Sequence, residues 1–342
     1  MYKNYKVVCN TAAGRRRYMQ YLLPPILASR IVDRYDIWIN TTDACDIEFF
    51  KRMADRYPQI NLVWQPDGVV NGISSINAFY KTCVEEDAIY VKMDDDVVWM
   101  EPGFFEKMVA FRVEHPDYFL VSPLVINNAL CTYILEVTGK LKLKKYMNAR
   151  ANHSVLWKSG GFAVELHDWF LKTQLPGERY RQLYCGKHPV AMNRFSINSI
   201  LWFGKTMKAF GGIVPGDDEE YLSCIKPTEL GLANCFNGDA VISHFAFHSQ
   251  REHLDRENIL ERYGEYLHRE WSANPEMKQI DDTVQAVLKE IEEHRQEIVR
   301  TPVPYRTVPV PAKKRWKMRY KRWVKTLRRW NYKLNRKSYI VE

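Results

Sequence analysis

Three consecutive aspartates, Asp94, Asp95 and Asp96, end the apolar run AIYVKMDDD (88–96). An extended chain turns alternate side chains to the same side, so Asp94 and Asp96 are predicted to point together, with Asp95 on the opposite side. Two carboxylates on one side suit a hard divalent cation such as Mn²⁺ or Mg²⁺, which bridges protein oxygens to phosphate oxygens. A solvated acidic turn, or a cluster that caps a helix beginning near Pro102, is the alternative.

A second acidic run, Asp217 to Glu220, follows the glycine-rich sequence FGGIVPG. Acids are favourable at a helix N-terminus in any case, because they interact with its unpaired N–H groups. Four acids exceed what capping needs, and one carboxylate held beside a sugar hydroxyl could accept its proton. Asp218 and Glu219 are therefore the candidate catalytic bases.

Two histidines lie in the sequence SHFAFHSQR (243–251). His244 and His248 would share one face of a strand if the strand continued through both. A neutral imidazole can complete a metal site that already holds carboxylates, so both residues are candidate metal ligands. A structural or surface role is the alternative for each.

Strand-like and helix-like segments alternate before the aspartates, which predicts an α/β fold with parallel strands and helices on the faces of the sheet. The strands are predicted at 5–11, 34–43, 60–65 and 88–96. In such sheets, ligands bind at the carboxyl ends of the strands. The polar residues predicted at these ends, as binding residues for a donor substrate, are Asn10, Thr11, Asp43 and Asp95, with Arg15 and Arg16 in the turn after the first strand.

The rest of the chain predicts further divisions. The segment KHPVAMNRFSINSILWFG (187–204) has the polar and aromatic composition of a substrate-facing loop, and the spaced prolines of TPVPYRTVPVP (301–311) predict an extended linker. The predicted organisation is a catalytic domain at 1–250, with halves at about 1–103 and 104–250, a helical extension at 251–300, a linker at 301–312 and a tail at 313–342.

Composition indicates a folded protein, with 46% hydrophobic residues in 342. Seven scattered cysteines without a CxxC pair favour free thiols in a reducing compartment. The N-terminal residues lack the apolar stretch of a secretory signal, and no run of 18 apolar residues occurs, so a cytoplasmic location without a membrane span is expected.

The net charge of +9 is concentrated in the tail, where residues 313 to 337 include thirteen Lys or Arg and no acid. Aromatic residues recur there at helical spacing, which predicts a cationic helix lying on an anionic membrane surface, peripheral at the inner face of the cell membrane. Packing on the catalytic domain or a partner helix is the alternative. Nucleic acid is not expected, because no reading module is recognisable. The predicted contact residues are Trp316, Tyr320, Trp323 and Trp330.

Taken in order, VKMDDDVVW, GGIVPGDDEEYLS and a later strand ending in histidine resemble the motifs of GT-A nucleotide-sugar-dependent glycosyltransferases of the DxD type, over about residues 6–251. The resemblance implies a Rossmann-like mixed sheet with helices on both faces, followed here by a C-terminal helical extension. It also implies a divalent metal ion on Asp94 and Asp96 at the donor diphosphate and a base at Asp218 or Glu219. The late metal ligand would be His244 or His248.

The function implied by this resemblance is sugar transfer from a UDP- or GDP-sugar to a hydroxyl of a glycan or glycolipid, as in bacterial surface polysaccharide or lipopolysaccharide synthesis. Inverting chemistry is favoured over retaining chemistry, and Arg15 or Arg16 would stabilise the departing diphosphate. Two other functions stay open. One is a metal-dependent nucleotidyltransferase, and the other is a non-catalytic membrane or nucleic-acid adaptor that acts through the tail.

Overall fold

The protein is described by a computed structural model for residues 1–307 and 338–341. Its strands are β1 (Lys6–Ala13), β2 (Arg34–Ile39), β3 (Ile60–Val63), β4 (Val69–Val70), β5 (Ala88–Met93), β6 (Val97–Met100), β7 (Val121–Ile126), β8 (Lys187–Val190), β9 (Ser199–Phe203), β10 (Asn234–His244) and β11 (Arg306–Thr307). Its α-helices are α1 (Arg16–Leu27), α2 (Ala44–Arg56), α3 (Ile73–Phe79), α4 (Phe104–Glu114), α5 (Ala129–Val137), α6 (Gly160–Trp169), α7 (Gly204–Lys208), α8 (Asp218–Glu220), α9 (Lys226–Leu230), α10 (Arg251–Arg256), α11 (Ile259–Ser272), α12 (Pro275–Glu293) and α13 (Arg295–Arg300).

Nine of these strands form one mixed sheet in the order β3-β2-β1-β5-β9-β7-β10-β6, with β8 also paired to β10. Strands β3, β2, β1 and β5 are parallel, whereas β9 runs antiparallel to both of its neighbours, β5 and β7. Strand β10 is parallel to β7 and antiparallel to β6. The predicted α/β class, with a mixed sheet flanked by helices, is confirmed.

The central strand β5 explains why the acid triplet lies deep in the molecule. All six of its residues are buried, and the ring of Tyr90 stacks on that of Trp202 in β9 with centroids 5.7 Å apart. A parallel strand covered on both faces reads as a continuous apolar run, and AIYVKM fits that pattern except at Lys92. The aspartates that follow β5 therefore lie at the edge of the buried core.

Strand β9 was predicted incorrectly, as part of a substrate-facing loop. Its five residues SILWF are all buried, and they pair with β5 and β7 in the middle of the sheet. Five residues after a polar stretch are too few to show a period, so the segment could not be separated from a loop by pattern alone.

Helices α10 to α13 follow the sheet, and the break between α11 and α12 falls just before Pro275. Asn274 caps α12 by accepting hydrogen bonds from two backbone N–H groups. Helix α12 packs against α1 and α2, so this region lies against the first half of the sheet domain. Within the described ranges, no helix is long and apolar enough to cross a membrane.

The last described residues return to the sheet domain. Glu165 on α6 accepts hydrogen bonds from the backbone N–H groups of Tyr339 and Ile340, and Tyr339 packs on Phe162. The tail residues predicted to contact a membrane or partner, Trp316, Tyr320, Trp323 and Trp330, lie outside the described residues.

Candidate functional site

The three aspartates form a turn between β5 and β6 rather than the end of a strand. The N–H of Val97 donates to the carbonyl of Asp94 at 3.2 Å, and β6 pairs with β10 instead of with β5. The strand alternation predicted for Asp94, Asp95 and Asp96 therefore does not apply. The prediction that Asp94 and Asp96 converge is met by the geometry of the turn instead.

One atom each from Asp94, Asp96 and His244 lie within 4.8 Å of one another. His244 ends β10, and the pairing of β10 with β6 is irregular between Ser243 and His244. Such an irregularity redirects a side chain at the end of a strand. Two carboxylates and one imidazole form a donor set that divalent cations accept, so these residues fit the predicted Mn²⁺ or Mg²⁺.

The ring of His244 is oriented by a backbone carbonyl. Its Nδ1 lies 3.4 Å from the carbonyl oxygen of Asn127, and its Nε2 lies 3.3 Å from Oδ1 of Asp96. Asn127 itself adopts a φ of 67°, a strained value for a residue other than glycine. The site thus fixes the ring with its Nε2 beside Asp96.

His248 would share the strand face of His244 only if the strand continued through both, and β10 ends at His244. His248 lies beyond that end in an exposed turn. The group that could hold a metal ion contains His244 and not His248.

Two arginines surround Asp96. The Nη2 atoms of Arg15 and Arg251 lie 3.0 Å and 3.3 Å from its Oδ2. Burial opposes ionisation of Asp96, but Arg15, His244 and Arg251 outweigh it and hold its pKa well below its usual range. Nη1 of Arg15 and Nε of Arg251 are buried without a hydrogen-bond partner. Such orphaned N–H groups beside a metal site are suited to phosphate oxygens.

Asp95 points to the loop before α1. It accepts hydrogen bonds from the backbone N–H of Gly14 and from the guanidinium of Arg15. Burial raises the pKa of Asp95 in spite of Arg15. Its contacts fix the guanidinium of Arg15 next to Asp96. Asp95 therefore positions Arg15 and is not part of the metal group, the name used here for Asp94, Asp96 and His244.

Asp94 lies on the side of the site that also contains the second acidic run. Lys92, which is 3% exposed, donates to Oδ1 of Asp94 at 2.5 Å. Burial alone would lower the pKa of Lys92, but Asp94 and Asp218 raise it. The buried ammonium therefore interacts with one carboxylate from each acidic motif, and it links the predicted metal ligand to the predicted base.

Within the second run, Asp218 is buried, Glu219 is partly buried and the other two acids are exposed. Oδ2 of Asp218 accepts from the hydroxyl of Tyr80 at 3.0 Å, and burial raises the pKa of this carboxyl although Lys92 opposes the shift. Arg194 makes ion pairs with the three other acids of the run. Glu219 is one of them, and burial raises its pKa against the effect of Arg194. Asp218 is therefore the better placed of the two candidate bases.

The other predicted donor-binding residues are spread apart. Asn10 and Thr11 lie inside β1, which continues to Ala13, so they are not at the strand end as predicted. Both are fully buried, and Thr11 accepts a hydrogen bond from Tyr35. Asp43 caps α2, and Arg16 pairs with Asp43 and Asp46 at the start of that helix. Asp43 therefore serves as a helix cap, and Arg15, not Arg16, reaches the aspartate turn.

Several residues of the site have no recognisable motif in the sequence. Asn198 donates to Oδ2 of Asp94 at 3.1 Å and accepts from Asn128 at 2.8 Å, so a buried amide relay holds the turn. Lys92 could have been noticed as a lysine in a buried strand. The residues missed are Lys92, Asn127, Asn198, Arg194 and Arg251, together with Tyr80.

No protein-family model matches the chain, and no curated protein matches it either. The chain resembles several solved structures at low sequence identity. Glucosyl-3-phosphoglycerate synthase from Mycobacterium tuberculosis, in complex with Mn²⁺, UDP-glucose and phosphoglyceric acid, aligns with 77% of this chain and 80% of its own, at 14% identity and a TM-score of 0.39.

Two further solved structures give the same level of similarity. S. aureus TarS aligns over 86% of this chain and 88% of its own, at 10% identity and a TM-score of 0.42. A CMP:2-keto-3-deoxy-manno-octonic acid synthetase in complex with CTP aligns over 77% and 100%, at 10% identity and a TM-score of 0.41. Similarity at this level carries no argument about activity, and the roles proposed below rest on the geometry of the site.

Proposed function

We propose that the protein is a metal-dependent glycosyltransferase that transfers a sugar from a nucleotide-diphosphate donor, a UDP- or GDP-sugar, to a hydroxyl of a glycan or glycolipid. The observation that supports this most is the grouping of Asp94, Asp96 and His244 within 4.8 Å, with orphaned N–H groups of Arg15 and Arg251 beside it. Metal ligands next to free cationic donors suit a diphosphate.

In this proposal, Asp94, Asp96 and His244 hold Mn²⁺ or Mg²⁺, which supplies charge neutralisation at the departing diphosphate. Arg15 and Arg251 donate their remaining N–H groups to phosphate oxygens, where negative charge increases as the glycosidic bond breaks. Asp218 accepts the proton of the attacking hydroxyl in an inverting reaction. Its burial and raised pKa favour that proton transfer, and Glu219 supports the run through Arg194.

The test is a thermal-shift screen of UDP, GDP and their sugars with and without Mn²⁺, on the intact chain. We expect one nucleotide class to stabilise the protein only when the metal is present. Asp94→Asn and Asp96→Asn should each abolish that stabilisation, whereas Asp55→Asn, at an exposed position of α2, should keep it. Metal-dependent stabilisation that persists in both site variants would falsify the metal role.

The released product separates transfer from nucleotidyl transfer. A glycosyltransferase releases a nucleoside diphosphate from its sugar donor, whereas a nucleotidyltransferase releases pyrophosphate from a nucleoside triphosphate. Pyrophosphate as the product would replace the proposal with its alternative. A protein that binds no nucleotide with metal would be the non-catalytic adaptor.

We also propose, from the sequence of residues 313–337 alone, that the tail holds the enzyme at the inner face of the membrane. Vesicles with 30% phosphatidylglycerol should sediment the intact chain at low salt, and neutral vesicles should not. Substitution of Trp316, Trp323 and Trp330 by serine should weaken sedimentation. Equal sedimentation with neutral vesicles would reject the electrostatic account.

A further inference from the structure

A strongly basic surface lies outside the site described above. We define the strap as residues 138–159, which connect α5 to α6. Between Glu136 and Glu165 the sequence has six Lys or Arg and no acid. All six side chains are exposed, and none forms an ion pair with any residue in 1–307 or 338–341. These six cations are Lys140, Lys142, Lys144, Lys145, Arg150 and Lys158.

The first part of the strap presents its lysines in a row. Leu141 and Leu143 are buried, so the alternating lysines at 140, 142 and 144 are directed outward. Backbone hydrogen bonds hold this part of the strap in place, because the N–H of Lys144 donates to Tyr339 at 2.8 Å and that of Val341 to Lys142 at 2.9 Å.

The nearest acids in the sequence are occupied by the backbone. The carboxylate of Glu165 accepts from the N–H groups of Tyr339 and Ile340, and that of Glu136 accepts from the N–H of Met147. Neither acid pairs with a lysine of the strap. Among the residues that the structure describes, no acid balances the positive charge of this surface.

The last part of the strap reaches the candidate site. The ring of Trp157 lies 5.7 Å from that of Phe247, and the ring of Phe247 lies 4.8 Å from that of His244. The hydroxyl of Ser249 also donates to the carbonyl of Trp157 at 3.5 Å. A chain that follows the strap would therefore come to an end beside the metal group.

We propose that the strap binds an elongated acceptor that carries phosphate or carboxylate groups along its length. This inference rests on the proposed sugar transfer and names the class of acceptor. The lysine row supplies charge-assisted contacts to successive anions, and Tyr146, 70% exposed beside Lys144 and Lys145, offers a ring face to sugar units. A bilayer is the competing partner, but a surface that leads into the site favours a substrate.

The first experiment locates polyanion binding on the intact chain. Inorganic polyphosphate serves as the probe, and lysine acylation is read by mass spectrometry at constant ionic strength. We expect labelling of Lys142, Lys144 and Lys145 to fall at least threefold, while the exposed Lys51 and Lys205 are unchanged. Equal labelling of the three strap lysines with and without polyphosphate would overturn the proposal.

The same labelling with vesicles of 30% phosphatidylglycerol separates the two partners. At equal phosphate concentration, stronger protection of the strap by polyphosphate supports an acceptor chain. Protection by vesicles alone would overturn the acceptor reading and assign this surface to the membrane.

The second experiment measures transfer to an oligosaccharide phosphate and to the same oligosaccharide after phosphatase treatment. The wild type should prefer the phosphorylated acceptor at least tenfold in kcat/KM. The triple change K142E/K144E/K145E should remove the preference, and the milder K142Q/K144Q/K145Q should reduce it if the first variant folds poorly. The charge-matched control K3E/K51E/K205E, at exposed positions away from the strap, should retain it. Equal use of both acceptors by the wild type contradicts the proposal.

A failure of the strap can be distinguished from a failure of the proposed function. Release of nucleoside diphosphate from the donor in Mn²⁺ without acceptor reports the metal site alone, and all three charge variants should release it at the wild-type rate. Donor cleavage without any preference for anionic acceptors rejects only the strap. No donor cleavage and no metal-dependent nucleotide binding reject the proposed function itself.

Discussion

Nε2 of His244 lies 3.3 Å from Oδ1 of Asp96, while Nδ1 of the same ring faces the carbonyl of Asn127. Arg15 and Arg251 lie beside the same carboxylate, with their Nη2 atoms 3.0 Å and 3.3 Å from its Oδ2. Together with His244 they hold the pKa of Asp96 well below its usual range. Asp96 therefore stays ionised, which is the form that would bind the proposed metal ion.

His244→Ala should remove one metal ligand and lower the affinity for Mn²⁺ by at least tenfold, because the two aspartates alone bind the ion less tightly. His248→Ala is the matched control, since His248 lies beyond the end of β10 and outside the metal group. Titration of Mn²⁺ against the thermal shift with UDP or GDP checks both. If His248→Ala weakens the metal and His244→Ala does not, the ligand has been assigned to the wrong histidine.

Asp218→Asn should lower kcat by 10²- to 10⁴-fold, the range expected for loss of a general base. The affinity for the nucleotide should stay the same, because the metal ligands and the arginines are untouched. Glu220→Gln is the control and should keep the wild-type kcat. Glu220 is an exposed acid of the same run, and it pairs with Arg194 instead of facing the site. Steady-state transfer kinetics decide the matter, and an unchanged kcat in Asp218→Asn points to retaining chemistry or to another base.

Arg251→Gln should weaken binding of the nucleoside diphosphate by about 10- to 100-fold, because one charge-assisted hydrogen bond contributes about 1.5–3 kcal/mol. Binding of the nucleoside without phosphates should be unaffected. Arg17→Gln is the control, since Arg17 pairs with Asp255 at the surface at 2.6 Å. Calorimetry with both ligands measures the difference, and equal losses for nucleoside and diphosphate would contradict a phosphate contact.

The sheet and the metal group were predictable to different extents. The sequence AIYVKMDDD predicted a buried strand followed by acids, because a continuous apolar run and a charge cluster can both be recognised within a few residues. The shape of the turn was not predictable, since it depends on β6 leaving β5 to pair with β10. The same limit applied to His248, because a strand end is fixed by its partners and not by its own residues.

The residues that complete the site come from distant parts of the chain. Arg251 and Asn198 meet the turn through contacts that span 155 and 104 positions. A single polar residue such as Asn198 has no periodicity that marks it as part of a relay. The choice of Asp218 over Glu219 likewise needed the position of Arg194, which no spacing within DDEE encodes.

Stability at acid pH should depend on His167, which is fully buried on α6. Its Nδ1 accepts from the hydroxyl of Tyr263 at 2.9 Å, and its Nε2 donates to the carbonyl of Phe245 at 2.8 Å. Burial lowers the pKa of His167 to about 3, although the hydrogen bond to Phe245 opposes the shift. The folded protein therefore keeps this imidazole neutral at a pH where the unfolded chain protonates it.

Because the pKa of His167 is lower in the folded state than the ordinary 6.5, the unfolded state binds more protons between these values. This contribution to stability is complete above pH 6.5 and is lost as the pH falls toward 3. The loss at pH 5 relative to pH 8 is about 2 kcal/mol. His167→Gln cannot titrate, so its free energy of unfolding should fall less over this range. Urea unfolding at pH 8, 6 and 5 measures both proteins, and parallel curves would mean that His167 is protonated in the folded state.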